Sequence, residues 1–549
     1  MQGLMQDHPL ILDMAFNRAE KLWSAKHLAT AAGERGQVTT TTYGAWAERT
    51  RRLGGALDTL GISADGRVGT FCWNTTRHLE LYFAVPCTGR VLHTLNIRLF
   101  DDQITFVANH AADEAIFCDR SLLGLLWPLI DTMPGVRHVV VIDDGEGDIP
   151  TDERIIDHEA LIAGAEAHPF GVVTDENRAA SMCYTSGTTG NPKGVVYSHR
   201  SIMLHAMCAM MVDTLAISES DRILPVVPMF HANAWGLCQA GVFAGSEMVF
   251  PGRDLSPEAI AELVVTQRAT FAGGVPTVWM GARPLLAGRD LSSLRSILCG
   301  GSAVPKVLAE AYRTEFGVEI LQAWGMTETS PIASIARVRS NRTDLSDDEL
   351  ANLRATQGMP VPGVEVRIAD PEASRVLLWD GEARGEVQVR GPWCAADYYD
   401  DPRSVDSFTD DGWLRTGDVA TISPDGYIRL VDRTKDVIKS GGEWISSVDL
   451  ENELMAHPAI AEAAVVAIPH EKWQERPLAC VVVKPDRTLT KEDVLEFLKP
   501  RVAKWWLPDD VVFIDEVPRT SVGKFSKREL RDRFAGEYPK AQPDKSADQ

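Results

Sequence analysis

Long uninterrupted apolar runs are missing from this 549-residue chain. The most apolar helix candidate, SIMLHAMCAMMVDTLAI, is interrupted by His205 and Asp213 and is shorter than the roughly twenty apolar residues of a membrane span. It reads as a Met-rich core helix, with methionine also suited to the wall of a ligand pocket. Paired cysteines are missing as well. The nine cysteines are scattered from Cys72 to Cys480 with no CxxC pair, which argues against a disulfide framework or a zinc site and for reduced, buried thiols. Basic residues are scarce: 55 Lys and Arg against 77 Asp and Glu leave a formal charge of −22, which repels a polyphosphate backbone and argues against nucleic acid as a partner. The first residues, MQGLMQDHPLILDMAF, lack a basic segment before their short apolar stretch, so no secretory signal and a cytoplasmic location are expected.

The length allows two or more domains. Short β-branched apolar runs (VGTFCWN, EAIFCD, HVVVIDD, SMCYTS, RILPVVP, EMVFPG, ATFAGGVP, SILCGG) alternate with helix-like stretches, which predicts an α/β chain of largely parallel sheets covered by helices on both faces. From about residue 360 shorter strands and turns predict an antiparallel, barrel-like part. After Asp432 the pattern of two helices and three strands describes a small α+β unit, and the polar tail GEYPKAQPDKSADQ is expected to be disordered.

Three clusters carry chemistry. YTSGTTGNPKG, residues 184 to 194, lies between two apolar runs, and its glycines let backbone N–H groups approach an anion. It is not a Walker loop: Pro192 stands where that pattern needs glycine and Gly194 where it needs a hydroxyl. By itself it says only phosphate. In QAWGMTETSP, Trp324 offers a face for a purine and Glu328 a carboxylate for Mg²⁺, with Thr185 placed to share that cation. In WLRTGDVA, Asp418 is expected at a turn, where a carboxylate suits a ribose diol.

These motifs, followed by DRTKDVIKSGGEWIS and PRTSVGKFSK, resemble in order and spacing the adenylate-forming superfamily of acyl-CoA synthetases, luciferases and peptide-synthetase adenylation domains. HTLNIRLF, MFHANAWG and DVIKSGGEWISSVDLEN are similar to medium- and long-chain fatty-acid-CoA ligases and to methylmercaptopropionate-CoA ligases. The resemblance implies an AMP-forming acid–CoA ligase using ATP, coenzyme A and Mg²⁺ on a medium- or long-chain fatty acid, with methylmercaptopropionate or another short or branched acid as the alternative and a homodimer left open. It implies an N-terminal AMP-binding domain over 1–431, a mobile C-terminal domain over 432–535 with its hinge at Asp432, and a tail over 536–549.

Carried onto matching positions, Lys524 is the catalytic cation of adenylation, and Thr185, Ser186, Gly187, Thr188, Thr189, Gly190 and Lys193 hold the phosphates. Gly301, Ser302, Gln322, Ala323, Trp324, Gly325 and Thr327 line the adenine and α-phosphate side, with Asp418 on the ribose and Arg433, Lys435 and Lys439 closing over it. Thr185 and Glu328 are the metal positions. Ser440, Gly441, Gly442 and Trp444 serve coenzyme A, and His231, Ala232 and Trp235 face the acyl group, His231 standing at its carboxylate as a second catalytic residue. Trp324 departs from the superfamily, where tyrosine is frequent, but keeps an aromatic face.

Overall fold

The HVVVI run of His138–Ile142 is buried along almost its whole length, as an unbroken β-branched stretch must be when helices cover both faces of a parallel sheet. The computed structural model describes residues 1–185, 191–342, 344–370, 375–433, 436–440, 443–519 and 525–534, leaving aside the side chain of Glu443. The expected tail over 536–549 lies outside them.

Four sheets are present among the described residues. A seven-stranded sheet is parallel from Ile155–Asp157 through Arg67–Phe71 and Val91–Thr94 to Ala179–Tyr184, and closes with the antiparallel strand Gly194–Ser198. A nine-stranded sheet has a parallel middle in the order Glu319–Gly325, Ser296–Cys299, Phe271–Gly274, Arg222–Pro225, Glu247–Phe250, His27–Ala31, with antiparallel strands at both ends. Between Glu365 and Arg433 runs a four-stranded antiparallel meander. The last sheet is built wholly from residues 438–513, flanked by the helices Ser447–Met455 and Lys491–Leu498.

The largest core joins the first two sheets. Phe16, Trp46 and Phe83 are fully buried in it, with Trp46 and Phe83 edge to face at 5.4 Å and Phe16 tilted against Trp46 at 5.3 Å. Ser198 caps the helix His199–Met210 by accepting from Ser201 N at 3.0 Å. That helix is the Met-rich segment, and Met203 and Ala206 are buried in the core. No helix among the described residues is long and apolar enough to cross a membrane. All nine cysteines are free thiols, eight of them buried.

One local expectation fails. Asp418 is not at a turn but inside the strand Leu414–Ile422, whose register shifts against both neighbours. Gly417, at φ +70°, falls within the irregular stretch of that register, a conformation open to glycine at little cost.

Candidate active site

Parallel strands direct their carboxyl ends to one edge of the sheet, and the connections leaving those ends form the natural ligand crevice. Here the segments after Pro225, Gly274, Cys299 and Gly325 open onto one cavity of about 1480 Å³. That exceeds a single small-ligand pocket of roughly 300–1000 Å³ and leaves room for more than one substrate. Gly325 permits the crowding: a Cβ there would stand 1.7 Å from the carbonyl oxygen of Pro331. Gly301 adopts φ +82°, open to glycine at little cost.

On one side the strands Ala179–Tyr184 and Gly194–Ser198 form a hairpin whose connection is the glycine-rich motif. Its neck is closed twice, by Thr185 N donating to Lys193 O at 2.9 Å and Lys193 N donating to Thr185 Oγ1 at 3.1 Å. Ser186, Gly187, Thr188, Thr189 and Gly190 lie outside the described residues. The Lys193 ammonium donates to Ser407 Oγ at 3.1 Å and stands 4.2 Å from the Tyr398 ring centroid. Tyr398 in turn donates its hydroxyl to Glu328 Oε1 at 2.5 Å. Burial, reinforced by the Glu328 carboxylate, pushes the Tyr398 phenol far above its ordinary pKa, so it remains a donor across the neutral range. Glu328 is 5% exposed on the single turn Thr327–Thr329.

Tyr398 and Ser407 were not singled out by the sequence. Their segment, ADYYDDPRSVDS, follows no spacing rule that ties it to a phosphate loop.

Magnesium is held in nucleotide enzymes by one or two carboxylates, with phosphate and water completing the shell. The donor set fits that role. Tyr398 engages one oxygen of Glu328, Lys193 N–H engages one lone pair of Thr185 Oγ1, and both groups retain acceptor capacity in the same cavity. No cluster of three or more His, Cys, Asp or Glu side chains suited to a metal exists among the described residues.

Across the cavity, Asp418 is 4% exposed. Trp324 Nε1 donates to its Oδ2 at 2.9 Å, and Arg433 Nε meets its Oδ1 at 2.6 Å. Gln322 is committed to structure, its Oε1 accepting from Val304 N at 3.2 Å and so tethering the segment that carries Gly301 and Ser302. Ala323, Gly325 and Thr327 line the same cavity.

His231, Ala232 and Trp235 form another wall, on an unusual backbone. Ala232, Asn233, Ala234 and Trp235 all have positive φ, between 43° and 56°, and Gly236 continues at 72°. A left-handed turn costs each non-glycine residue about 1–2 kcal/mol. Asn233 offsets part of this from a buried position. Its Nδ2 donates to Ser181 Oγ at 2.7 Å, and its Oδ1 accepts from Cys183 Sγ at 3.0 Å and Thr94 Oγ1 at 3.3 Å. Thus the seven-stranded sheet holds the turn that presents Trp235, which is 5% exposed. Asn233 was missed because an asparagine between two alanines announces no partner.

Of the C-terminal positions, Asp432 lines the cavity and is buried, with Ser447 donating to its Oδ2 from N at 3.0 Å and from Oγ. Burial raises the Asp432 pKa, against the opposing pull of the nearby Lys527 cation. Lys527 bonds Ser447 Oγ and pairs with Glu451 at 2.8 Å. Lys439, Ser440 and Trp444 stand outside the cavity wall: Lys439 N donates to Glu475 at 2.8 Å, Ser440 Oγ accepts from Arg476 at 3.1 Å, and Trp444 O accepts from Arg384 at 2.7 Å. Lys435, Gly441, Gly442 and Lys524 lie outside the described residues. Arg519 and Phe525, on either side of Lys524 in sequence, form an isolated antiparallel bridge, and both line the cavity.

The family described as AMP-binding enzyme matches residues 20–399, and the AMP-binding enzyme C-terminal domain matches residues 449–524. The chain is 46% identical over 97% of its length to a long-chain-fatty-acid–CoA ligase of Thermus thermophilus, covering 97% of that protein. It is 41% identical over 97% of its length to a 3-methylmercaptopropionyl-CoA ligase of Ruegeria lacuscaerulensis, covering 99% of it. The structure resembles that of ATP-bound MatB from Rhodopseudomonas palustris with a TM-score of 0.81, at 25% identity, over 96% of this chain and 100% of that one.

Proposed function

With the chain belonging to the AMP-binding enzyme family as an AMP-forming carboxylic acid–CoA ligase, we propose that its acid is a medium- or long-chain fatty acid. One observation carries this reading: the cavity that His231 lines also has Ala232, Trp235, Met280, Leu298 and Ile332 in its wall, apolar surface suited to an alkyl chain. The 46% identical long-chain ligase supports the same class.

In the reaction a carboxylate oxygen attacks the α-phosphorus of ATP, the bond to the β-phosphate oxygen breaks, and pyrophosphate leaves. The thiolate of coenzyme A then attacks the acyl carbon and AMP departs. Two anions meet in the first step, so a preorganised cation between them supplies the largest stabilisation. We assign that role to Lys524. The glycine-rich loop with Lys193 takes the leaving pyrophosphate, Asp418 the ribose, and Trp324 the adenine face. Thr185 and Glu328 would hold Mg²⁺, which neutralises phosphate charge when bound. His231 orients the acid carboxylate at the mouth of the acyl wall. Asp432 is the hinge about which the domain over 432–535 turns between half-reactions, bringing Ser440, Gly441, Gly442 and Trp444 toward the thiol.

The test is AMP release, dependent on both acid and coenzyme A, for straight-chain acids from butyrate to stearate beside methylmercaptopropionate. Each buried methylene contributes about 0.8 kcal/mol, so kcat/KM is expected to climb severalfold per carbon until the pocket is filled. A maximum at methylmercaptopropionate, with longer acids rejected, would assign the short thioether acid instead.

Trp235→Ala is expected to move the optimum toward longer or branched acids with little change in the KM for ATP, since its indole closes the apolar wall. Equal loss toward every acid, together with a lowered Tm, would make Trp235 a packing residue.

A further inference from the structure

Asp418 accepts one N–H on each of its two oxygens, from Trp324 Nε1 on Oδ2 at 2.9 Å and from Arg433 Nε on Oδ1 at 2.6 Å. A carboxylate has about four acceptor sites. Two protein donors on separate oxygens fix the plane of the group and leave one site on each oxygen, a spacing suited to a vicinal diol. The backbone beneath it is held too: Thr416 Oγ1 accepts from Asp418 N at 3.1 Å and donates to Val387 O at 2.8 Å. Trp324 is 8% exposed and Asp418 4%, so a lost donor is poorly replaced by water.

We propose that Trp324 is a positioning residue for ribose recognition, its indole N–H orienting the Asp418 carboxylate toward the 2′- and 3′-hydroxyls of ATP, beyond any stacking by its ring. The inference rests on the assignment of Asp418 to the ribose. It gives tryptophan at this position a meaning that an aromatic face does not: phenylalanine lacks the donor and tyrosine carries it at the tip of the ring, away from the site of Nε1. A stacking partner favours every adenine nucleotide alike, whereas an aligned carboxylate favours those with both hydroxyls. Discrimination between ATP and its deoxy analogues therefore separates the two roles.

The experiment compares ATP, 2′-deoxyATP and 3′-deoxyATP in acid- and coenzyme A-dependent AMP release by the full-length wild type, Trp324→Phe, Trp324→Tyr and Asp418→Asn. Thermal melts verify that each variant is folded. Loss of a buried hydrogen bond to a charged group corresponds to about tenfold. Trp324→Phe is expected to raise the KM for ATP by about that factor, more than it lowers kcat, and to reduce the preference for ATP over both analogues severalfold. Trp324→Tyr is expected to do the same, so either folded variant decides the matter. Asp418→Asn is expected to remove most of the preference. Folded Trp324 variants that weaken all three nucleotides equally would overturn the proposal while leaving the ribose assignment standing. An Asp418→Asn enzyme with wild-type discrimination would overturn the ribose assignment itself.

Discussion

Lys524→Ala is expected to abolish acyl-adenylate formation while leaving a pre-formed acyl-adenylate convertible to thioester. The reason is electrostatic. Attack of a carboxylate on the α-phosphate brings two anions together, and only the first half-reaction contains that encounter. Removing one preorganised charge donor from such a site costs on the order of a hundred- to a thousandfold in rate. Lys524 stands within PRTSVGKFSK, between Arg519 and Phe525, which line the same cavity as Glu328 and Asp418. Single-turnover measurements would follow pyrophosphate release from ATP and acid in one experiment and thioester formation from synthetic acyl-adenylate in another. A loss of similar size in both would show that the lysine does not serve adenylation alone, and the hinge at Asp432 would then lack its rationale.

The second large effect is expected from Glu328→Gln. Glutamine keeps the volume and an acceptor for the Tyr398 hydroxyl, which meets Glu328 Oε1 at 2.5 Å, but removes the negative charge. If that charge faces a hard cation, kcat/KM for Mg-ATP should fall on the order of a hundredfold and the magnesium concentration for half-maximal pyrophosphate release should rise. The Tm should move little, because the hydrogen-bonding partner is retained. Tyr398→Phe is the companion: it keeps the charge and frees the carboxylate to rotate, so a smaller loss of about tenfold is expected. An unchanged magnesium titration in Glu328→Gln would place the metal elsewhere.

Much of the architecture follows from contiguous sequence. Runs such as HVVVI and SILC are too apolar for anything but strands covered on both faces, and they sit in the parallel parts of the two large sheets. That the glycines of YTSGTTGNPKG connect two regular elements was legible from the apolar runs on either side, while their pairing as an antiparallel hairpin came from the structure. The pattern after Asp432 likewise matches the order of helices Ser447–Met455 and Lys491–Leu498 with strands Ile460–His470, Gln474–Val483 and Asp510–Phe513. Asp418 was misplaced because a Thr-Gly-Asp triplet has the local chemistry of a turn, while its pairing with Arg433 on the neighbouring strand is a nonlocal property.

What the sequence determined by itself was the alternation of strands and helices and the identity of the reactive groups, since hydrophobic period, glycine content and side-chain chemistry reside in neighbouring residues. Only the tertiary structure decided how those groups are held. The Lys193–Ser407 contact spans 214 positions, Trp324 to Asp418 spans 94 and Glu328 to Tyr398 spans 70. The left-handed turn at Ala232–Trp235 is likewise unreadable locally, because alanine and tryptophan have no preference for positive φ, and its anchor Asn233 finds partners only on other strands. Such contacts exist because sheet order, not chain order, sets which carboxyl ends share a crevice, and a hydrogen bond buried there becomes available only after the strands carrying its two partners have packed.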